Sequence, residues 1–270
     1  MTGFALGPIA LSRGFRLFPY AEIGSTSAEA GNAAQHGDVG NAWFASLRQT
    51  AGRGRRGRVW ETPSGNLAAS LLVLPECDPA VSATLGFVAG VALNRALAAT
   101  LPANLLRHGV DGATRIALKW PNDILADDAK LAGILLESGK APDGRQTVVI
   151  GIGVNVVAAP EGLPYPATSL QALGATITAQ DLFHALAEEW VIASELWDNG
   201  NNIGDILRLW RASAAGIGAE VAVTHDGNVV RGIFESIDDT GRLLVRANDN
   251  SLIAITAGDV HFGVTATMRA

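Results

Sequence analysis

Apolar and polar positions along the chain fall into two regimes that change near residue 215. Arg16–Ile23 reads as a first strand. Thr26-Ser27-Ala28-Glu29 fits the S/T-x-x-E capping box, so a helix is predicted from about Ser27 to Gln35, stopping near Gly37. Ala42–Arg48 reads as a strand, and Leu67–Leu74 as a largely buried one. Ala80–Thr100 is the strongest helical segment, with Val81, Leu85, Val88, Val91, Leu93 and Leu97 spread over one broad face. Ile116–Trp120, Ile124–Ala126, Lys130–Glu137 and Thr147–Val156 follow as short strands, with Asp127-Asp128 a natural hairpin connection. Leu182–Leu196 and Ile203–Ala212 are predicted helices carrying Trp190 and Trp210.

From Gly216 the texture becomes β only. Val221–Thr224, Val229–Ile237, Leu243–Arg246 and Leu252–Ile255 are separated by His225-Asp226-Gly227-Asn228, Asp238-Asp239-Thr240-Gly241 and Asn248-Asp249-Asn250. Close spacing with Gly/Asn/Asp punctuation describes a small barrel. The reading is therefore an α+β body over residues 1–214 and a β-barrel module over residues 215–270, with the boundary near Ala214–Gly216.

Composition narrows the function. Hydrophobic residues make up 48% of the 270 and charged residues 17%, which excludes a solvated disordered chain. The net charge is −6, and Lys119, Lys130 and Lys140 are the only lysines, a poor basis for a general nucleic-acid or membrane-surface binder. Cys77, the single cysteine, excludes an intrachain disulfide and a Cys-rich zinc site, and reads as a small buried hydrophobe. The five histidines (36, 108, 184, 225 and 261) include no i, i+4 pair, so no helical metal site is signalled. Val148–Ala159, the longest candidate for a membrane span, is broken by Gly151, Gly153 and Asn155, and Met1-Thr2-Gly3-Phe4 lacks a basic leader. A cytoplasmic protein with no membrane partner is expected.

Against this acidic background Gly52-Arg53-Gly54-Arg55-Arg56-Gly57-Arg58 stands out. It matches G-x-G-x-x-G, but a dinucleotide fingerprint needs a helix next, and Val59-Trp60-Glu61-Thr62-Pro63-Ser64-Gly65 leads to a turn. Five arginines (48, 53, 55, 56 and 58) concentrated in a chain without other basic clusters point to a compact anion. The glycines let the backbone approach a ligand, and the arginines add bidentate forks for carboxylate or phosphate. With several like charges and no apolar anchor, the loop is expected to be mobile when empty and to order over its ligand. Two of the three lysines then fall in Lys119-Trp120-Pro121-Asn122-Asp123 and Lys130-Leu131-Ala132-Gly133-Ile134-Leu135.

The ordered set Ser25-Thr26, Gln49, Gly52–Arg58, Trp60, Lys119–Asp123, Lys130–Leu135 and Gly151-Ile152-Gly153-Val154-Asn155 resembles the biotin protein ligase family. Gly232, Ile237-Asp238, Gly241-Arg242-Leu243-Leu244 and Ala257-Gly258-Asp259-Val260 are similar to that family's C-terminal SH3-like barrel. The resemblance runs from about Ile23 through most of the chain. It implies a class II synthetase-like catalytic domain, with a mixed sheet and flanking helices, followed by that barrel. The implied reaction joins ATP and biotin into biotinyl-5′-AMP, then transfers biotin to a lysine of a biotin carboxyl carrier domain, with Mg²⁺ as cofactor.

By the same resemblance, Ser25, Thr26, Ser27, Gln49, Gly54 and Gly133 would contact biotin, although the family often has Asn where this chain has Ser27. Arg53 and Arg55 would hold the biotinyl carboxyl and the adenylate phosphate. Arg58, Trp60, Asn122 and Asn155 would lie on the nucleotide side. Lys130 would meet the reacting oxygens, with Lys119 and Asp123 supporting that centre or its Mg²⁺. Family members also suggest a homodimer through the catalytic sheet. With about two dozen residues before Ser25, a ligase without operator-binding capacity is expected. The competing readings are a lipoate or octanoate ligase on the related fold and a nucleic-acid-binding protein. Net acidity and the lack of aromatics among the loop arginines oppose the second.

Overall fold

A computed structural model describes residues 2–108, 113–225 and 227–262. Asp226 of the first barrel turn and residues 263–270 of the expected barrel module lie outside the described residues. The body runs through α1 (Pro8–Ser12), β1 (Arg16–Tyr20), α2 (Thr26–Gln35), β2 (Ala42–Ser46), β3 (Leu67–Val73), α3 (Pro79–Ser82) and α4 (Leu85–Thr100). It continues with α5 (Ala103–Leu106), a short ribbon of β4 (Arg107–His108) and β5 (Ala113–Thr114), then β6 (Ile116–Lys119), β7 (Asp123–Ala126), β8 (Ala129–Lys140) and β9 (Gln146–Val154). Helices α6 (Ala179–Trp197) and α7 (Ile203–Ala212) close it. The C-terminal strands are β10 (Glu220–His225), β11 (Asn228–Ile237), β12 (Leu243–Arg246), β13 (Leu252–Ile255) and β14 (Asp259–Phe262).

Seven strands form one mixed sheet in the order β1-β2-β3-β9-β8-β7-β6, parallel only between β1 and β2. Alternation along β3, β8 and β9 divides its two faces. Leu67, Ala69, Leu71, Ile134, Ile150, Ile152 and Val154 belong to the main core with Leu93 and Leu97 of α4 and Leu182, Phe183 and Trp190 of α6. Trp43 meets Phe183 and Trp190 edge-on there, at ring-centroid distances of 5.5 and 6.4 Å. On the opposite face α2 covers a smaller cluster of Ala30, Ala34, Phe44, Leu72 and Val149. Beyond it the central strands β3 and β9 carry small residues. Ala68, Gly153, Gly133 and Asp123 lie in one cross-strand row, with Ser70, Gly151 and Leu135 in the next. Those two rows become the floor of a cavity.

The C-terminal strands form a five-stranded antiparallel sheet ordered β13-β12-β11-β10-β14. It is anchored to the body where the Trp120 indole donates to the carbonyl of Gly241 at 2.9 Å. Gly241 has φ +82°, and a Cβ there would strike the Phe87 ring, so the turn that delivers this carbonyl requires glycine.

Three sequence expectations are corrected. The cap of α2 is Ser25, whose hydroxyl accepts from the Ala28 N–H at 3.3 Å, so the box read at Thr26–Glu29 does not form. Thr26 is already helical, and the Gln49 side chain accepts from both its N–H and its hydroxyl. The Ala80–Thr100 helix is two helices. Between them the Thr84 hydroxyl donates to the Val81 carbonyl and accepts from the Trp197 indole at 2.8 Å. Together α3 and α4 are long and apolar enough for a membrane crossing, but two thirds of that stretch is buried in the core. The fifth barrel strand, β14, has no apolar pattern of its own; its register against β10 defines it, with Val260 opposite Val223.

Candidate active site

The two rows of small residues form the floor of a cavity between α2, the Arg-Gly loop and the Lys119–Asp123 turn. At its closed end the polar groups are neutral. The Thr26 hydroxyl lies 3.0 Å from the Gln49 Oε1 and 2.8 Å from the Ser70 hydroxyl, which also meets Ser27 at 3.0 Å. Gln49 Nε2 donates to the Thr62 hydroxyl at 3.3 Å. All four hydroxyl residues are buried, so this chain of polar atoms is fixed by its own hydrogen bonds. Gly151 is needed beside it, because a Cβ there would stand 2.8 Å from the Ser27 hydroxyl.

The open end is cationic. Lys130 Nζ lies 2.8 Å from Asp123 Oδ1 and 5.5 Å from the centroids of both the Trp60 and the Tyr165 rings. Trp60 packs against Gly153, where a Cβ would stand 2.3 Å from the indole Nε1, and against Gly133, where a Cβ would stand 3.2 Å from Cζ3. Arg55 Nη1 donates to Asn122 Oδ1 at 3.0 Å, and Asn122 Nδ2 donates to the Ile134 carbonyl at 2.6 Å. Burial pushes the Arg55 guanidinium below its ordinary pKa, while Asp259 and Asp123 draw it back up. Lys119 sits in the adjoining part of the cleft near His261, its ammonium 5.4 Å from the Phe262 ring. Burial lowers its pKa, Asp123 opposes that, and Lys130 adds to it.

Most of the expected residues line one cavity: Thr26, Ser27, Gln49, Arg53, Gly54, Arg55, Arg58, Trp60, Asn122, Asp123, Lys130 and Gly133. Ser25 does not line it; its hydroxyl caps α2. Arg53 stands at the rim, half-exposed and paired with Glu137 at 3.2 Å. Asn155 opens on a small side cavity shared with Trp60, Lys130 and Tyr165. Its amide donates to the Thr168 carbonyl at 3.0 Å, while its buried Oδ1 has no partner among the described residues. Nor is the Arg-Gly loop without anchors. Arg53 and Val59 bridge its two sides, and Arg56 and Arg58 reach Asp259.

Sequence reasoning missed Ser70 and Tyr165. Ser70 is one polar position in an apolar strand, and only the pairing with Gly151 brings it into the cavity. Tyr165 arrives through a loop that pairs with the Lys130 backbone: Lys130 N donates to the Pro166 carbonyl, and Thr168 N to the Lys130 carbonyl. Among the described residues, no three His, Cys, Asp or Glu side chains gather as a metal cage.

Residues 40–155 match the Biotin/lipoate A/B protein ligase family, and residues 216–263 the Biotin protein ligase C terminal domain. A biotin–[acetyl-CoA-carboxylase] ligase of Paracoccus denitrificans is 37% identical over 249 residues, spanning 90% of this chain and 99% of that protein. In fold, the chain is similar to the Aquifex aeolicus biotin protein ligase in complex with biotin and ATP, with a TM-score of 0.74 at 21% identity over 93% of this chain and 99% of that one. The Leishmania major biotin protein ligase in complex with biotinyl-5-AMP aligns over 90% of this chain and 98% of its own, at 26% identity and a TM-score of 0.55.

Proposed function

The chain belongs to the biotin protein ligase family, and from that premise we propose that it condenses biotin with ATP to biotinyl-5′-AMP and then passes biotin to a lysine of a biotin carboxyl carrier protein. The polarity of the cavity carries this reading. Neutral hydroxyl and amide groups of Thr26, Ser70 and Gln49 lie at its closed end, and the cations Arg55 and Lys130 at its open end. Biotin has the matching polarity, an uncharged ureido head and a carboxylate tail.

In the first step a carboxylate oxygen attacks the α-phosphorus and pyrophosphate leaves. Two unit charges ~3.5 Å apart at an effective dielectric of ~20 repel by roughly 5 kcal/mol, more than three powers of ten in rate. Arg55 and Lys130 offset that repulsion where the two anions meet. Asn155 Oδ1, buried and without a partner among the described residues, is the acceptor suited to the adenine amino group, and Trp60 walls the same pocket. Asp123, in the cavity row and beside Lys130, is the carboxylate suited to Mg²⁺ carried in on the triphosphate, an ion that takes few protein oxygens. Such an ion supplies charge neutralisation at the phosphates.

In the second step a neutral lysine amine attacks the acyl carbon. An amide forms, the acyl–phosphate bond breaks, AMP leaves, and the amine proton passes to solvent. Water would hydrolyse the same anhydride, which gives the covering Arg-Gly loop its purpose. The test is incubation with ATP, Mg²⁺ and a biotin carboxyl carrier domain, in parallel arms with biotin, lipoate or octanoate. Biotinylated carrier in the first arm alone is the expected product. Lipoylated or octanoylated carrier without biotinylation would overturn the reading.

A further inference from the structure

The loop that covers the site is held from outside the catalytic body. Asp259, the first residue of β14 in the barrel, takes Arg58 Nη2 at 2.8 Å and Arg56 Nη1 at 2.9 Å on Oδ2. Arg55 Nη1 makes its shortest contact with Asn122 inside the cavity, at 3.0 Å, and reaches the barrel only at longer range, 3.5 Å to the Gly258 carbonyl and 3.9 Å to Asp259 Oδ1. The three arginines thus differ: Arg56 and Arg58 pair closely with the barrel carboxylate, while Arg55 is held mainly by Asn122 in the cavity wall. Burial raises the Asp259 pKa, but the Arg58 hydrogen bond and the charges of Arg58, Arg56 and Arg55 outweigh it and hold the carboxyl below its ordinary value. The barrel is itself fixed to the body, since the Gly241 carbonyl accepts from Trp120, next to Lys119. A chain of contacts therefore runs from the Lys119–Asp123 turn through the barrel and back onto the loop.

We propose that Asp259 is a positioning residue of the ligation site: from the barrel it holds Arg56 and Arg58, and so fixes the Arg-Gly loop with Arg55 turned toward Asn122. This rests on the ligase reading of the cavity and adds a residue to it. It also reassigns Arg58, which the family resemblance placed on the nucleotide side, to a strut. A loop carrying like charges and no apolar anchor gains a fixed counter-ion, so less ordering is left for the nucleotide to impose. Without Asp259 the nucleotide must order the loop itself, and the loss falls on ATP more than on biotin, whose head lies on the Thr26–Ser70 floor.

Trypsin cuts after arginine, so the ligand-free full chain reports loop closure by its rate of cleavage after Arg53 and Arg55. Asp259→Asn is expected to speed that cleavage about tenfold and to raise the KM for ATP about tenfold, with the KM for biotin changed by about twofold or less. Asp259→Glu restores most of both effects. Arg56→Gln with Arg58→Gln reproduces them, and adding Asp259→Asn to that pair makes them no worse. Glu235→Gln, which breaks the barrel's own pair with Arg246, changes neither readout. Unchanged cleavage and ATP KM in Asp259→Asn would overturn the proposal, as would equal rises in both KM values that Glu fails to restore. Cleavage needs no substrate, so failure of the loop proposal is distinct from failure to ligate biotin. Should Asp259→Asn not fold, the arginine pair alone decides between these outcomes.

Discussion

Trp60 lies across Gly153 so closely that a Cβ on that glycine would fall against Nε1, Cε2 and Cζ2 of the indole. The glycine is thus a seat for the ring, and the ring in turn faces the Lys130 ammonium at 5.5 Å. Bare backbone in β9, aromatic wall and reacting cation form one stack.

Gly153→Val should therefore displace Trp60 without touching the neutral end of the cavity. Overpacking of this kind costs about 1–3 kcal/mol, and it would appear as a rise of about tenfold or more in the KM for ATP. Steady-state ATP–pyrophosphate exchange checks it. An unchanged KM for ATP would show that Trp60 does not wall the nucleotide pocket.

Lys130→Ala removes the cation placed where the carboxylate and phosphate meet, and it leaves Asp123 without its 2.8 Å partner. Loss of a preorganised charge at a reacting centre costs roughly 10²–10³ in rate. Pyrophosphate exchange should fall by that factor, while biotin remains bound at the Thr26–Ser70 floor, measured by calorimetry. Exchange at the unmodified rate would remove Lys130 from the mechanism.

How far this site could be read from sequence depends on whether a residue's neighbours are local. Lys119–Asp123 and Lys130–Gly133 lie on adjacent strands joined by a short turn, so their order along the chain already approximates their arrangement in space. Ser70 has no such signature: its place follows from the Ser70–Gly151 register, a pairing set by the apolar face of the sheet. Ser25 and Thr26 are both good capping residues, and local pattern alone chose the wrong one. What decides between them is Gln49, 23 residues on, accepting from Thr26. The ionic partner of the loop was hidden for a similar reason, since Asp259 lies about 200 residues away in the barrel. The strand segments of the body and the punctuation of the barrel were legible because alternation and turn chemistry are local properties.

Arg55→Gly deletes the hydrogen bond to Asn122 and a guanidinium from the cavity wall. The expected result is faster escape of the acyl-adenylate by about tenfold or more, because a charge-assisted hydrogen bond contributes about 1.5–3 kcal/mol. Free biotinyl-5′-AMP would then label exposed lysines of a bystander protein such as serum albumin, read on a streptavidin blot. Retained acceptor specificity together with slow release would exclude Arg55 from holding the intermediate.

The turn that joins barrel to body should give the protein an acid-sensitive step. Burial pushes the Asp238 carboxyl up, but hydrogen bonds from the Thr240 hydroxyl, the Arg242 N–H and guanidinium and the Thr240 N–H prevail and bring its pKa down to about 2. The native state thus favours the ionised form, so its contribution is fully present above the ordinary carboxylate pKa of 3.8 and is lost as pH falls toward about 2. The shift sets an upper bound of about 2.5 kcal/mol, which solvent screening reduces to about 1 kcal/mol. Asp238→Asn should lower stability by about that amount at pH 7 and by progressively less from pH 4 to pH 2, in urea titrations across that range. The same turn places the Gly241 carbonyl on the Trp120 indole, so the variant should also raise the KM for ATP through a loosened Lys119–Asp123 turn. A stability difference that persists undiminished at pH 2 would show that Asp238 acts through its shape and not through its charge.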